Sequence, residues 1–301
     1  NIIKGVSFLA FMREAGRVKK LDGGLRIKAD LMYGKNSTIK SKSGYTLVDT
    51  TPQEGITAAF FDWKETAGTL SISRKERRQN SGKNVMFNLI DAKQNQLVLS
   101  FQEEITRQIL SDGTGNGSLD ITGLQLALKD TPTTGTYGSI DPSTETWWVN
   151  QCKNTVGSFT AGGLAAVREV YRECTQGSPK GSPTLALCDY VAYDSWEAEH
   201  VLHLQFQPQG KRNEKMFDLG IENFVYKRAA VMVEEQMADG GRIYLINSDY
   251  MFFAVDKESD FKMLPAVTPS NQTATTSIMI LMSNIATTNR RKSGVLTGLT
   301  A

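Results

Sequence analysis

Cysteine and histidine are scarce in this chain of 301 residues, which contains three cysteines and two histidines. The odd number of cysteines and the lack of a C-x-x-C spacing argue against a disulfide scaffold, so a reducing compartment is the simplest interpretation. His200 and His203 lie three residues apart on a predicted helix, outside an H-E-x-x-H motif. Because no other histidine or cysteine pair completes a set of four ligands, the sequence predicts no metal site.

An excess of charge is also missing, since 34 basic and 32 acidic residues leave a net charge of +2. This balance argues against a protein that wraps nucleic acid or covers a membrane surface, and any DNA contact must be local. No window approaches the roughly 20 apolar residues of a membrane span, and residues 1–12 are too broken in hydrophobicity for a signal peptide. The sequence predicts a soluble, unsecreted protein whose 40% hydrophobic content can fill a core.

The motifs of common catalytic sites are absent as well. The block S-D-G-T-G-N-G at residues 111–117 lacks the terminal lysine of a P-loop, does not match G-x-G-x-x-G, and follows a predicted helix instead of a strand. No G-x-S-x-G motif accompanies the two histidines. The acidic pairs at 103–104 and 234–235 are adjacent residues whose side chains point in different directions. We therefore expect no catalytic centre, no cofactor and no enzymatic activity.

The first third of the chain predicts a short helix followed by strands. Apolar residues at near-helical spacing in residues 6–12 predict a short helix within an arm. Alternation of apolar and charged residues over 25–30 predicts a half-buried strand. The Thr-rich and Gly-rich segments of residues 36–80 predict a long hairpin of two or three strands, which has little core of its own and should lie on something else.

A long helix is predicted from Ser81, where the apolar period changes to i+4 steps. Its length of about 28 residues corresponds to roughly 42 Å, enough for a spine across the molecule. The helix is expected to stop at residues 111–117, where three glycines supply positive φ angles. The apolar stripe consists of Val85, Leu89, Leu97, Phe101, Ile105 and Ile109.

The second half predicts an α/β layer and then strands. Thr160 is expected to cap a helix that ends near Gly177, residues 184–188 form a buried strand, and Asp189 caps a second helix that continues to about Leu204. The remainder is dominated by strands, predicted around residues 224–226, 230–233, 242–246, 250–255 and 277–282.

Short segments with distinctive residues are spread along nearly the whole chain. They are L-M-Y-G (31–34), G-Y (44–45), D-T-T-P-Q-E-G-I-T-A-A (49–59) with D-W (62–63), the glycine block (111–117), I-T-G-L (121–124), P-T-T-G-T (132–136), G-S-I-D (138–141), W-W-V-N-Q (147–151), and N-R-R (289–291) with G-V-L-T-G (294–298). In this order, the segments resemble parts of the major capsid proteins of tailed bacteriophages. The order of the predicted elements is similar to that of the Hong-Kong-97-type capsid fold.

This resemblance implies an α+β fold of four parts. They are an N-terminal arm at 1–35, an extended loop formed by a β-hairpin at 36–80, a peripheral domain with the spine helix at 81–112 and 246–288, and an axial α/β domain at 113–245 and 289–301. By the same resemblance, the extended loop overlaps a neighbouring subunit. Deletion of residues 40–75 is then expected to leave a folded subunit that cannot close a shell.

The function implied is that of a major head protein, which assembles with itself into hexamers and pentamers of an icosahedral shell around double-stranded phage DNA. Portal, scaffold and decoration proteins are the implied partners, and the inner face would meet packaged DNA without sequence specificity and no membrane. The implied location is the virion, and the host cytoplasm during assembly. The alternatives are an encapsulin-type nanocompartment shell and, disfavoured by the missing catalytic centre, an enzyme of unknown type.

Residues that could contact neighbouring subunits are the apolar side chains of the hairpin and the two basic runs at 74–78 and 290–292. Basic runs are often simply solvated, and ion pairing between subunits is the functional alternative. Apolar residues that a hairpin cannot bury by itself are stabilised on a partner. The candidates are Tyr45, Ile56, Phe60, Phe61, Trp63, Arg74, Lys75, Arg77, Arg78, Arg290 and Arg291.

Overall fold

A computed structural model describes residues 6–79, 89–177, 181–204, 225–237 and 240–300. The helices are Ser7–Glu14 (α1), Arg74–Gln79 (α2), Leu89–Leu110 (α3), Gly115–Ser118 (α4), Leu124–Ala127 (α5), Leu164–Thr175 (α6) and Tyr190–Leu204 (α7). The strands are Val18–Leu21 (β1), Arg26–Met32 (β2), Ile56–Asp62 (β3), Lys64–Ser73 (β4), Gln151–Lys153 (β5), Gly157–Ser158 (β6), Leu185–Cys188 (β7), Val225–Tyr226 (β8), Ala229–Val233 (β9), Ile243–Ile246 (β10), Met251–Asp256 (β11), Lys262–Met263 (β12), Ala274–Thr287 (β13), Gly294–Leu296 (β14) and Leu299–Thr300 (β15).

The predicted N-terminal helix is present, but it packs into the subunit. α1 buries Phe8, Leu9 and Met12 in the larger of two hydrophobic cores. β1 then pairs in parallel with β11, so that Val18 lies opposite Phe253. The N-terminal arm at 1–35 stays a prediction, and within it α1 and β1 pack on the subunit itself.

The predicted hairpin exists with different strands. β2 and β3 pair antiparallel with Arg26 opposite Asp62 and Met32 opposite Ile56. Alternate side chains of β2, including Ile27 and Leu31, are buried, as the period-two pattern predicts. Residues 33–55 between the strands form neither helix nor strand, so the strand expected near residues 37–45 is absent.

β4, which was expected inside the same hairpin, belongs to a different sheet. It pairs antiparallel with β13 over ten positions, from Lys64 opposite Ser283 to Ser73 opposite Ala274. A first sheet thus has the order β1-β11-β13-β12, with β4 also on β13. Deletion of residues 40–75 would remove β3 and β4 from these sheets, so we now expect that such a subunit does not fold.

The described part of the spine helix is α3, and the predicted residues 81–88 lie outside the described residues. Its buried side includes Phe101, Ile105 and Ile109 of the predicted stripe. The helix lies close on β4 because of Gly68, where a Cβ atom would come within 2.8 Å of Leu97 Cδ1.

α3 ends before the glycine block, as predicted. Gly113 and Gly117 have positive φ, whereas Gly115 does not. Asn116 and Ser118 adopt the left-handed conformation instead. The expectation of three left-handed glycines is therefore wrong for Gly115, where the constraint is steric: a Cβ atom would lie 2.1 Å from the carboxylate of Asp120.

The second sheet has six strands in the order β5-β14-β10-β7-β9-β8, and the two cores lie on its opposite faces. Leu185 and Leu187 of β7 face the larger core, while Ala186 and Cys188 face the smaller core under α6 and α7. Asp189 caps α7 as predicted, since its Oδ1 accepts the Ala192 amide at 3.0 Å. Thr160 is not a cap, because it lies within a π-helical turn, Phe159–Gly163, that continues into α6.

Candidate functional site

The described residues contain no cluster of histidine, cysteine and carboxylate side chains that could hold a metal ion. His200 and His203 lie on α7, and their side chains fall outside the described part of the chain. Within the same described ranges, no helix combines the length and the apolar content needed to cross a membrane.

Four exposed apolar side chains lie on residues 33–55, here called the projecting loop. They are Ile39, Tyr45, Leu47 and Val48, with Ile39 and Leu47 at 82% and 93% of their full accessible area. The described subunit covers part of Val48, which is 60% exposed, and little of the other three. Grouped apolar side chains of this kind mark interaction sites.

The stem of the projecting loop, β2 and β3, has one exposed and one buried face. Met32, Ile56 and Phe60 are exposed on the outer face. Phe61 points inward, is 3% exposed and packs edge-on against Tyr137 at 5.0 Å between ring centroids. Phe61 is therefore wrong as an intersubunit contact, since neighbouring residues of a strand point to opposite faces.

The remaining aromatic candidates occupy different environments. Trp63 is partly buried against the larger core, and its Nε1 donates a hydrogen bond to the carbonyl of Gly24 at 2.9 Å. Tyr45 is fully exposed in the projecting loop. Trp63 is thus only partly accessible to a partner, whereas Tyr45 is fully accessible.

The first basic run forms α2 at the end of the β4–β13 pair. Arg74, Arg77 and Arg78 line a groove of about 410 Å³ together with Ile72 and hydroxyl side chains of residues 268–275. Lys75 is exposed beside them. The run is strongly basic, because its one acid is engaged elsewhere.

That acid is Glu76, whose carboxylate accepts hydrogen bonds from the Ser73 amide at 3.0 Å and from Lys93 Nζ at 3.1 Å. The Ser73 amide and then Lys93 hold the pKa of Glu76 below its ordinary value. Glu76 is thus ionised and already paired within the subunit. The side chains of Arg74, Lys75 and Arg77 in α2 remain exposed beside it.

The second basic run divides between core and surface. Arg290 is 0% exposed, and its guanidinium donates to the carbonyls of Leu126, Ala127 and Trp148. Burial lowers its pKa to about 10. Arg290 is therefore wrong as an intersubunit contact, while Arg291 is exposed and reaches Gln176 at 3.5 Å.

The glycine block has a structural role in the described geometry. Arg107 donates to Glu104 at 2.6 Å and to the buried carboxylate of Asp120 at 2.7 Å. Asn116 donates to the same carboxylate at 2.7 Å. The hydrogen bond from Arg107 lowers the pKa of Glu104. The turn after α3 is thus held to α3 by the hydrogen bonds that Asp120 accepts from Asn116 and Arg107.

Sequence reasoning missed the apolar residues Ile39, Leu47 and Val48 and the aromatic pair Tyr33 and Trp147. The first three stand among serines, threonines and lysines without a periodic partner pattern, and this isolation is the signal that could have identified them. Tyr33 and Trp147 stack with ring centroids 4.8 Å apart, although 114 positions separate them in sequence, 147 minus 33. No local pattern reports such a contact.

No protein-family model matches the chain, and no curated protein matches it. Its structure is similar to the capsid of cyanophage A-1(L), with a TM-score of 0.68 and 14% identity over 99% of this chain and 94% of that chain. The capsid of the Myoviridae phage XM1 gives a TM-score of 0.60 at 10% identity, over 95% and 91% of the two chains. An encapsulin from Synechococcus elongatus gives 0.57 at 7% identity, over 96% and 88%.

At these identities the likeness shows the fold. The chain has the α+β capsid fold of the Hong-Kong-97 type, as the order of its sequence segments predicts. Almost the whole length of this chain takes part in the likeness.

Proposed function

We propose that this chain, which has the capsid fold of tailed phages, is the major head protein of such a phage. Copies would assemble into hexamers and pentamers of an icosahedral shell that encloses double-stranded DNA. The observation that carries this proposal is the likeness to the cyanophage capsid over 99% of the chain. A likeness of this extent supports self-association of copies of this chain.

The projecting loop supplies a physical reason for association. Its apolar side chains and those of the outer stem face are open to water in the subunit. Covering apolar area stabilises by about 25 cal/mol per Å², so each loop that docks on a neighbour contributes a modest amount. In a closed shell every subunit both offers and receives such contacts, and their effects multiply.

Ion pairing between subunits would also help to set the orientation of one subunit relative to the next. The groove at α2 places guanidinium groups beside hydroxyl groups, an arrangement that suits a carboxylate. The residues that we retain as candidate intersubunit contacts are Tyr45, Ile56, Phe60, Trp63, Arg74, Lys75, Arg77, Arg78 and Arg291.

The division into parts follows the two sheets. We assign α3 with the sheet of β4, β11, β12 and β13 to a peripheral domain, and the six-stranded sheet with α6 and α7 to an axial domain. We assign β2, β3 and residues 33–55 to the extended loop. This loop ends at residue 62, whereas the sequence predicted an end at residue 80. Any arm that reaches a neighbour would have to precede residue 6, since α1 packs in the core.

The shell would act with a portal, a scaffold and decoration proteins. Its inner face would contact the negatively charged phosphate backbone of the DNA without sequence specificity. The subunit would be made in the host cytoplasm and end in the virion. It would act as a structural protein without catalysis.

An encapsulin-type shell is the second candidate, because an encapsulin shares the fold at a TM-score of 0.57. The phage function is favoured by the higher score of 0.68 for the cyanophage capsid. Both functions require a closed shell, and they differ in its contents.

Electron microscopy of the purified protein and of a lysate of producing cells tests the proposal. Icosahedral shells that package DNA and carry tails in a lysate support the head protein. Small shells filled with protein cargo support the encapsulin. A chain that stays monomeric at every concentration, with or without a scaffold protein, contradicts both.

A further inference from the structure

We propose that Tyr33 and Trp147 form a clamp that sets the direction in which the projecting loop leaves the subunit. The clamp is a property of the folded subunit, and its effect on assembly rests on the proposed function. Both residues act as positioning residues, since they hold the loop that would make the contact.

The first half of the clamp is the stacked pair itself. Tyr33 directly follows β2, at the point where the projecting loop begins, and its ring lies 4.8 Å from that of Trp147 at an interplanar angle of 20°. The indole Nε1 of Trp147 donates to the carboxylate of Glu145, which fixes the ring on the other side. Stacked aromatic rings contribute a favourable free energy beyond that of the apolar area that they bury.

The second half is a series of rings that leads back to the stem. Trp147 meets Trp148 at 5.7 Å, and Trp148 stacks with Tyr137 at 6.2 Å. Tyr137 in turn packs edge-on against Phe61 of β3 at 5.0 Å. One aromatic series therefore holds the loop end of β2, through Tyr33, and the far end of β3, through Phe61.

The two attachments are far enough apart to set an angle. Phe61 lies opposite Ile27, and Tyr33 comes six positions after Ile27 along the chain. At about 3.3 Å per residue the attachments are roughly 20 Å apart. Between them the core holds the stem through Ala29, Leu31 and Ala59, so Tyr33 is the attachment that lies nearest to the start of the projecting loop.

The support of the clamp is rigid. Trp148 and Tyr137 are each 1% exposed, and the guanidinium of Arg290 lies 5.2 Å from the centre of the Tyr137 ring. Trp148 Nε1 donates to the carbonyl of Tyr137 at 2.9 Å. The Phe60 amide also donates to the carbonyl of Gly138 at 3.0 Å, which ties the outer edge of β3 to the same segment.

Hydrogen–deuterium exchange on the full chain tests the clamp. In Tyr33→Ala we expect the amides of residues 33 and 34, which donate to the Gly55 carbonyl, to exchange about tenfold faster, because the loop end of the stem opens more often. The amides of α3 should exchange at the wild-type rate, which shows that the subunit is folded. Tyr33→Phe keeps the ring and should retain protection. Tyr45→Ala removes an exposed tyrosine that stacks on no ring of the described residues, and it should change nothing in the stem. Wild-type exchange in Tyr33→Ala would overturn the clamp.

Particle assembly followed by electron microscopy tests its consequence. We expect Tyr33→Ala to give few or irregular particles, and Tyr33→Phe to give wild-type particles. Regular particles from Tyr33→Ala with a loosened stem would overturn the link between clamp and assembly. If the wild-type chain forms no shell at all, the proposed function fails, and the exchange rates still decide whether the clamp exists.

Discussion

The Nε atom of Arg290 donates a hydrogen bond to the backbone carbonyl of Ala127 at 2.7 Å, inside the subunit. The same guanidinium reaches the carbonyls of Leu126 and Trp148 and the side chain of Asn150. It therefore joins the end of α5, the Trp147–Trp148 pair and the residues before β14. In the sequence Arg290 suggests a surface contact, but in the structure it links three segments inside the subunit.

Substitution Arg290→Ala should destabilise the subunit by about 3–5 kcal/mol. Several buried carbonyls would lose their donor, and each unsatisfied buried acceptor costs about 1–3 kcal/mol. Urea unfolding measures the change. Arg291→Ala, next in sequence and exposed, is the matched control and should stay within about 0.5 kcal/mol of wild type. Equal effects of the two substitutions would contradict the internal role of Arg290.

Glu234 should make stability depend on pH. It is 8% exposed, and burial raises the pKa of its carboxyl from 4.5 to about 7. The folded state therefore holds its proton more tightly than the unfolded state. The stabilisation is complete below pH 4.5 and is lost as the pH rises through 7, by up to about 3 kcal/mol.

The comparison that isolates this effect is Glu234→Gln, which has no such titration. Its free energy of unfolding relative to wild type should rise between pH 4.5 and 7 and level off above. The exposed Glu258→Gln serves as control and should follow wild type at every pH. A constant difference between Glu234→Gln and wild type across this range would show that Glu234 keeps its ordinary pKa.

Replacing residues 35–54 by Asn-Gly should leave a folded subunit that forms no closed shell. The backbones of Gly34 and Gly55 already meet, since the Gly34 amide donates to the Gly55 carbonyl at 3.3 Å, and a two-residue turn can close such a hairpin. Side-chain hydrogen bonds of the removed tip stay within it, for example Ser37 to Gln53. Thermal unfolding and electron microscopy measure the two outcomes.

A milder variant keeps the length of the projecting loop and changes Ile39, Leu47 and Val48 to serine. It should lose assembly in the same way, because the apolar side chains carry the contact. Regular shells from both variants would show that the projecting loop is not an assembly element.

Reversal of charge in Arg74→Glu with Arg77→Glu should weaken assembly and leave the fold intact. Both side chains are exposed, so the stability should change by less than about 1 kcal/mol. Assembly yield, measured by light scattering across salt concentrations, should fall and lose its dependence on salt. The matched control, Arg168→Glu with Arg172→Glu, makes the same change of charge on the exposed side of α6. An equal loss in both variants would indicate a general charge effect.

Local patterns predicted many of the elements. The alternation at residues 25–30 became β2, the i+4 stripe became the described part of α3, and Asp189 caps α7. These features depend on residues close in sequence, for which period and capping chemistry are direct signals. The glycine block likewise stops α3, although Asn116 and Ser118 take left-handed positions expected of glycine.

Strand partners were beyond the same reasoning. β4 follows β3 after Trp63 alone, which is too short for a common hairpin turn, and β4 pairs with β13 about 200 residues later. What decides is the packing of α3 on β4, where Gly68 admits Leu97 and Phe101.

By itself, the sequence determined the class of the fold, the ends of its main helices and the absence of a recognisable catalytic motif. The tertiary structure decided which candidates face outward: Phe61 and Arg290 are internal, while Ile39, Leu47 and Val48 are exposed. It also brought Tyr33 onto Trp147. The physical reason is that periodicity reports the face of an element on which a residue lies, whereas exposure depends on what long-range packing places against that face.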